Sequence, residues 1–370
     1  MSKIVPIVMP KWGLSMREGT VNDWLVTPGT QIEVGMPILD VETDKLANEV
    51  EATDAGLLRR QCAQAGETLP VKALLGVMAD ASVSDEEIDA FIASYEVPPD
   101  QDGDADSTES VFSHIEVDGI RIRYRQTGQG KPLLLIHGFG GDLNNFLFNI
   151  DALAATHQVT ALDLPAHGGS AIRLPEPPDY PALARFVLHF MDAVGLQQVD
   201  ILAHSMGGAI AAQLSLNAPE RVGKLALVSP AGLGEEVNRQ YIDGFVQAES
   251  RREMKPVLAL LLAHDEEVNR QMVDDVLQYK RLDGVTQALE RLSSTLFPEG
   301  KQPVRPTHAI DADTHPLLLL WGEEDQIIPV RHADLAPASS TVKRVPASGH
   351  MCHMDHATQV NEWLLSFFGH

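Results

Sequence analysis

Val199-Asp200-Ile201-Leu202-Ala203-His204-Ser205-Met206-Gly207-Gly208-Ala209-Ile210-Ala211-Ala212-Gln213 changes its pattern in the middle. Residues 199–203 are a short, almost continuously apolar run, which reads as a strand buried on both faces. From Ala209 onward the residues read as helix. Between the two stands Ser205, with a small residue two places before it and a glycine two places after. A sharp strand-to-helix turn needs small residues there, and such a turn lifts the serine hydroxyl above the edge of a sheet. The pattern small-x-Ser-x-Gly is common by chance. Its place directly after a buried strand gives it weight.

Working outward, residues 133–136, 159–162, 224–228 and 316–321 are similar apolar runs separated by helical stretches. They predict a mostly parallel sheet flanked by helices. Residues 115–117 and 120–124 flank Asp118-Gly119, a typical hairpin turn. Two further chemical groups follow Ser205 in order. Asp325 lies in Trp321-Gly322-Glu323-Glu324-Asp325, a turn after a buried run, and His350 closes Ser348-Gly349-His350 after the strand-like residues 341–345. In a Ser…Asp…His order, His350 would take the Ser205 proton, and Asp325 would orient the imidazole and stabilise its charged form. Glu323 and Glu324 compete with Asp325 for that role, and Asp163 and His167 are rival acid and base candidates. His353 and His356 stand close to His350, but no acidic partner follows at a metal-site spacing, so no metal is expected.

These motifs give residues 111–370 a resemblance to the α/β-hydrolase family along their whole length. Ala203 stands where that family usually has glycine. His137-Gly138-Phe139-Gly140-Gly141 resembles the family's oxyanion loop, which implies that the backbone N–H groups of Phe139 and Met206 stabilise a tetrahedral oxyanion. The resemblance also implies a structural role for the loop of Asp163 and His167. Helical segments at residues 237–247, 257–262, 268–277 and 285–292 interrupt the alternation, so a helical cap over about 232–301 is expected.

The other end of the chain carries a different signal. Residues 38–52 alternate apolar and polar on both sides of Asp44-Lys45, which reads as two half-buried strands joined by a tight turn. Gly19, Gly29 and Val34 recur at identical spacing as Gly56, Gly66 and Val71, so two quasi-symmetric small sheets are expected. With Met9-Pro10-Lys11, Met16-Arg17-Glu18-Gly19 and Glu42-Thr43-Asp44-Lys45, residues 1–80 resemble the lipoyl domain of 2-oxo-acid dehydrogenase complexes. That resemblance implies covalent lipoate on Lys45. Biotin carriers place methionine on both sides of their lysine, whereas Asp44 and Leu46 stand here.

Between the two, from Ser82 to Ser110, ten acids stand with no Lys or Arg. Residues 85–95 can form one short helix, with Ile88, Phe91 and Ile92 on one face. Residues 98–110 hold no large apolar side chain and read as an extended acidic linker, so 81–110 is expected to be helix and tether. The formal charge of −24 over 370 residues argues against nucleic acid as a partner. No run approaches the roughly 20 apolar residues of a membrane span. With no leader pattern and only Cys62 and Cys352, a cytoplasmic setting is expected.

Taken together, the chain resembles the dihydrolipoamide acetyltransferase components of acetoin dehydrogenase (acetoin-cleaving) systems, in which a lipoyl domain is fused to an α/β-hydrolase domain. The resemblance implies transfer of acetyl from the arm on Lys45 to coenzyme A. It implies a multienzyme complex with thiamine-diphosphate-dependent acetoin dehydrogenase subunits and dihydrolipoyl dehydrogenase, and a separate lipoylating enzyme. The motifs alone leave open a tethered serine hydrolase, since they do not distinguish water from a thiol as acceptor. A carrier with a silent hydrolase-like domain is a third reading, against which the intact Ser205, Asp325 and His350 speak. His114-Ile115-Glu116-Val117-Asp118-Gly119 matches the His-x-x-x-Asp-Gly motif of ordinary complex acyltransferases, but its Asp-Gly already serves the hairpin and it starts a domain instead of ending one.

Overall fold

The computed structural model describes residues 4–10, 18–42, 47–52, 54–80, 82–95, 97, 112–264, 268 and 270–369. It divides into two compact units, Met1–Ser110 and Val111–His370. No helix among the described residues is long and apolar enough to cross a membrane.

The first unit is built from β1 (Ile4–Val8), β2 (Glu18–Trp24), β3 (Gln31–Ile32), β4 (Pro37–Glu42), β5 (Ala47–Glu51), β6 (Gly56–Gln61), β7 (Thr68–Pro70) and β8 (Leu74–Ala79). One sheet has the order β1-β8-β6-β3 and the other β5-β4-β2-β7. Moving four strands along the chain turns the first order into the second, so the two sheets are copies. The copying extends to single hydrogen bonds, at a 37-residue offset. Gly29 N donates to Leu58 O and Gly66 N to Val21 O; Leu25 N donates to Ile38 O and Cys62 N to Leu75 O. Gly29 and Gly66 hold φ of 96° and 85°, a left-handed conformation that costs an L-residue roughly 1–2 kcal/mol. Val21, Leu39, Val41, Leu58 and Leu75 fill the core between the sheets, all fully buried.

Helix α1 (Asp85–Ser94), expected in the connecting segment, packs on this unit instead. Ile88 joins Val77, Ala79 and Val83 in one buried cluster, Arg59 reaches Asp85 at 3.0 Å, and the Tyr95 hydroxyl donates to Lys72 O. Its start is fixed by a capping box, in which Ser84 and Glu87 satisfy each other's backbone N–H. The acidic linker at residues 98–110 lies outside the described residues.

The second unit has one eight-stranded sheet. Its strands are β9 (Ser113–Val117), β10 (Ile120–Thr127), β11 (Lys131–Ile136), β12 (His157–Leu162), β13 (Val199–His204), β14 (Val222–Val228), β15 (Leu317–Gly322) and β16 (Thr341–Val345). Their order is β16-β15-β14-β13-β11-β12-β10-β9; β10 is antiparallel to both of its neighbours, β12 and β9, and the other pairs are parallel. Strand β11 shows why its sequence is continuously apolar. Leu134 and Ile136 face the layer of α3 (Tyr180–Ala193) and α4 (Met206–Asn217), while Leu133 and Leu135 face α2 (Leu147–Ala154) and α10 (Ala357–Phe368), with the one-turn helix α9 (Cys352–Asp355) just before it. The hairpin turn holds Asp118 and Gly119 at φ of 51° and 73°, the conformation a two-residue turn needs.

Between β14 and β15 stand α5 (Arg239–Gln247), α6 (Arg251–Ala259), α7 (Arg270–Lys280) and α8 (Val285–Leu296). Helix α6 starts six residues before the expected 257, at a second capping box formed by Ser250 and Glu253, and carries Pro256 inside it. That Ser-x-x-Glu signature is legible in the sequence; the proline masked it.

The repeat makes a stability prediction. Gly66→Ala should cost the first unit about 1 kcal/mol through its backbone conformation alone. Gly76→Ala should cost roughly 1–3 kcal/mol, because an added Cβ would stand 2.9 Å from both Arg60 O and the Trp24 ring, whose Nε1 is held by Ala63 O. Calorimetry of the full-length variants measures both, and an unshifted transition for Gly76→Ala would show that Trp24 moves freely.

Candidate active site

Ser205 occupies the junction of β13 and α4 with φ 54° and ψ −119°, a strained conformation worth roughly 1–3 kcal/mol. Its backbone is fixed from three sides. Ser205 N donates to Val228 O, and Gly208 N and Ala231 N both donate to Ser205 O, all within 3.0 Å. The glycines after it are there for space, since a Cβ on Gly207 would lie 2.3 Å from Ile136 O and one on Gly208 2.7 Å from the Pro230 ring. A serine before a helix usually caps it with its own oxygen. Ser205 makes no such bond, so the elbow leaves its hydroxyl uncommitted.

Asp325 and His350 come together after β15 and β16. His350 Nδ1 lies 2.8 Å from Asp325 Oδ2, and both side chains are buried. Asp325 accepts from three further donors: Trp321 Nε1 at 3.0 Å, Ile327 N at 2.8 Å and Ile328 N at 3.0 Å. These donors fix the orientation of the carboxylate, and its contact with Nδ1 turns Nε2 of the imidazole away from Asp325 as the nitrogen left to accept. Glu323 and Glu324 are exposed and do not bond to His350. The Trp321 indole was not anticipated from sequence, although a tryptophan four residues before the acid was in view.

His204, also unanticipated, is fully enclosed, and burial drives its pKa well below the usual value, so it is neutral. Its Nε2 donates to His350 O at 3.1 Å, and its ring lies 4.7 Å from the His350 ring and 4.8 Å from that of His353. His353 is likewise buried, with its pKa lowered to about 3 by desolvation. Among the described residues no group of His, Cys, Asp and Glu could hold a metal ion.

The loop after β11 closes on the serine from the other side. A Cβ on Gly138 would stand 3.0 Å from Ser205 Cβ. Neutral His137, its pKa brought to about 4 by burial, locks the loop: Nδ1 donates to Gly138 O and Nε2 accepts from Leu164 N. The N–H groups of Phe139 and Met206 are both in buried residues and donate to no group among the described residues. Unpaired buried donors are rare, and here two occur beside one strained serine.

Asp163 and His167 belong to this scaffold. Asp163, fully buried, accepts from Arg123 Nε, Leu143 N and Gly169 N. His167 is buried with Nδ1 on Pro165 O. Neither is bonded to Ser205 or His350.

The helices between β14 and β15 cover this cluster. The Phe139 ring packs against Phe245 of α5 and Phe297 at the end of α8, with centroids 5.9 and 6.2 Å apart. Tyr279 of α7 stacks on His167 and donates to Ala166 O. His350 N donates to Leu261 O, which ties the loop of the histidine to the end of α6. The result is an aromatic wall in the cap over the loop that meets the serine.

Lys45 lies outside the described residues, with residues 43–46. On either side, Glu42 of β4 pairs with Ala47 of β5, so the strands that flank it meet at one end of their sheet.

A family model described as alpha/beta hydrolase fold matches residues 131–357, and one described as biotin-requiring enzyme matches residues 5–78. The chain is 54% identical, over 99% of its length and 98% of the relative's, to a dihydrolipoyllysine-residue acetyltransferase component of an acetoin cleaving system from Cupriavidus necator. It is 43% identical to the protein of the same description from Pseudomonas putida, over 99% of each chain. A solved meta-cleavage product hydrolase from Pseudomonas fluorescens superposes with a TM-score of 0.61 at 22% identity, covering 70% of this chain and 97% of that one, which is a likeness of fold. The α/β-hydrolase fold, the lipoyl-type first unit and this identity along the whole chain place the protein in the family of dihydrolipoyllysine-residue acetyltransferase components of acetoin cleaving systems.

Proposed function

We propose that this chain transfers an acetyl group to coenzyme A, with Ser205 as nucleophile, His350 as general base and acid, and Asp325 orienting the imidazole. The observation that carries the reading is the uncommitted hydroxyl of a strained serine beside two unpaired buried amides, with a buried Asp–His pair whose His350 carbonyl is held by His204, the residue before the serine. Lys45 is the proposed attachment point of lipoate, and the meeting strand ends around it fit a lysine offered to a lipoylating enzyme. When attached, lipoate supplies a dithiol that can carry an acyl group.

The chemistry follows from the residues. His350 Nε2 takes the Ser205 proton as Oγ attacks a thioester carbonyl. The Phe139 and Met206 N–H groups hold the oxyanion, each such donor being worth roughly 3–4 kcal/mol of barrier. Asp325 stabilises the imidazolium. As the tetrahedral species collapses, His350 returns the proton to the departing thiolate, which leaves an acetyl ester on Ser205. The coenzyme A thiol then gives its proton to His350 and attacks that ester through the same oxyanion site. Finally Ser205 leaves and is reprotonated. The aromatic wall of Phe139, Phe245 and Phe297 excludes water, the competing acceptor.

The complex would draw its acetyl group from thiamine-diphosphate-dependent acetoin dehydrogenase subunits, with dihydrolipoyl dehydrogenase reoxidising the arm. Both cysteines are free thiols, which suits a cytoplasmic setting.

Three outcomes are expected. Ser205→Ala should lower acetyl-CoA formation from acetyl-dihydrolipoamide at least about a thousandfold; unchanged turnover removes the serine from the mechanism. Asp325→Asn should cost about ten-thousandfold in kcat, because an amide forces the wrong tautomer on His350. Lys45→Arg should abolish the lipoyl mass addition yet leave transfer from free acetyl-dihydrolipoamide intact. In the same assays, thioester loss at equal rate with and without coenzyme A would favour a hydrolase.

A further inference from the structure

A cleft of about 580 Å³ opens between the β9–β10 hairpin, the loop after β12, α3 and α8. Its floor is apolar, with Ile120, Leu174 and Phe186 all buried, and its rim carries Arg173, Arg185 and Arg291. Three guanidinium groups around one cleft stand out in a chain with 52 acidic and 28 basic residues. The two acids of the lining are already engaged: Asp118 with His189 at 2.7 Å, and Glu176 with Arg291 through both carboxylate oxygens at 2.7 Å. Arg173 makes one long bond, 3.4 Å to Gly119 O. Arg185 is exposed and has no ion pair or hydrogen bond among the described residues. The cleft therefore offers a free guanidinium and a weakly held one over a flat apolar floor.

The cleft lies on the same side of the sheet as Ser205. Tyr124 of β10 pairs with Leu162, the last residue of β12, so the β10 residues before it run past the carboxyl ends of the parallel strands. There Asp163 N donates to Arg123 O and Ala171 N to Arg121 O, which fixes the loop that reaches the cleft. From β13, which carries Ser205, to β10 is three strand steps, about 14 Å. Helix α8 joins the two places. Arg291 lies on the cleft, and Phe297 just beyond the helix end packs on Phe139; at about 1.5 Å per residue these are roughly 9 Å apart along the axis.

We propose that this cleft binds the phosphorylated nucleotide end of the acyl acceptor, with Arg185 and Arg173 on its phosphates and the apolar floor under its base; this rests on the acyl-transfer reading above. A pantetheine arm is about as long as four extended residues, roughly 14 Å, the order of the lateral spacing between β13 and β10. The placement also answers an electrostatic problem. A net charge of −24 repels a polyanionic acceptor, and a local arginine cluster opposes that field where the acceptor docks.

The test uses the full-length protein, free acetyl-dihydrolipoamide as donor, and two acceptors: coenzyme A and pantetheine, which lacks the nucleotide. Arg185→Gln and Arg173→Gln should each raise KM for coenzyme A about tenfold, the loss of one charge-assisted contact, with kcat unchanged. Their KM for pantetheine should stay at the wild-type value. Unchanged KM for coenzyme A, or an equal rise for pantetheine, overturns the assignment while leaving acyl transfer in place. Should the wild-type protein form no acetyl-CoA at all, the acyl-transfer reading fails, and titration with 3′-phosphoadenosine 5′-diphosphate judges the cleft alone. Saturable binding that Arg185→Glu weakens about tenfold or more supports it; no saturation, or identical saturation by the variant, refutes it.

Discussion

The left-handed backbone of Ser205 is the constraint from which the site is built. An L-residue at φ 54° relaxes unless its surroundings forbid it, and here β13 before it and most of α4 after it are buried. The bond from Ser205 N to Val228 O ties the elbow to β14, and that from Ala231 N to Ser205 O ties the following loop to the elbow. Gly207 and Gly208 let α4 approach β11 and Pro230 so closely that no side chain fits. The same tight turn leaves the first N–H of α4, that of Met206, without an acceptor. The strain, the free hydroxyl and the unpaired amide are thus one feature seen three ways. A relaxed serine would turn its hydroxyl onto the N–H groups of the second or third helical residue as a cap.

The two units show different limits to what a sequence discloses. The inner parallel strands were legible because both faces are buried, so β11, β13 and β15 read as almost continuous apolar runs. Ser205 and Asp325 were legible because each follows such a run, and His350 because it follows the strand-like residues 341–345. The support around them was not. Trp321 reads as one more apolar residue of β15 until its indole is found on Asp325, and His204 reads as a polar interruption until its ring is found on the His350 carbonyl. Both act through contacts between residues far apart in the chain or across a turn, which spacing does not encode. The aromatic wall was hidden for the same reason: Phe139, Phe245 and Phe297 come from three separate segments.

In the first unit the glycine repeat carried more information than its few matching residues promised. Identical spacing of Gly29 and Gly66 reflects identical left-handed turns, and these fix equivalent hydrogen bonds in both sheets. The repeat is imperfect where one copy can bear strain. Lys72, at φ 66°, stands at the position of Gly35, at φ 82°. Helix α1 was legible from the apolar face of Ile88, Phe91 and Ile92, but its docking was not: Arg59 and Arg60 of β6 meet Asp85 beside the sheet.

Joining a carrier and a transferase in one chain has an asymmetric physical consequence. A donor carried on the same chain would meet the site at an effective concentration set by the covalent link, on the order of millimolar. Such a donor needs little dedicated binding surface, since the covalent link already supplies its encounter. The acceptor diffuses freely and has no such advantage, and the strong negative charge of the chain opposes its approach. Binding energy is therefore most useful on the acceptor side. A rim of arginines on a strongly acidic molecule, on a cleft whose helix α8 runs to the aromatic wall at Phe139, is what that asymmetry leads one to look for.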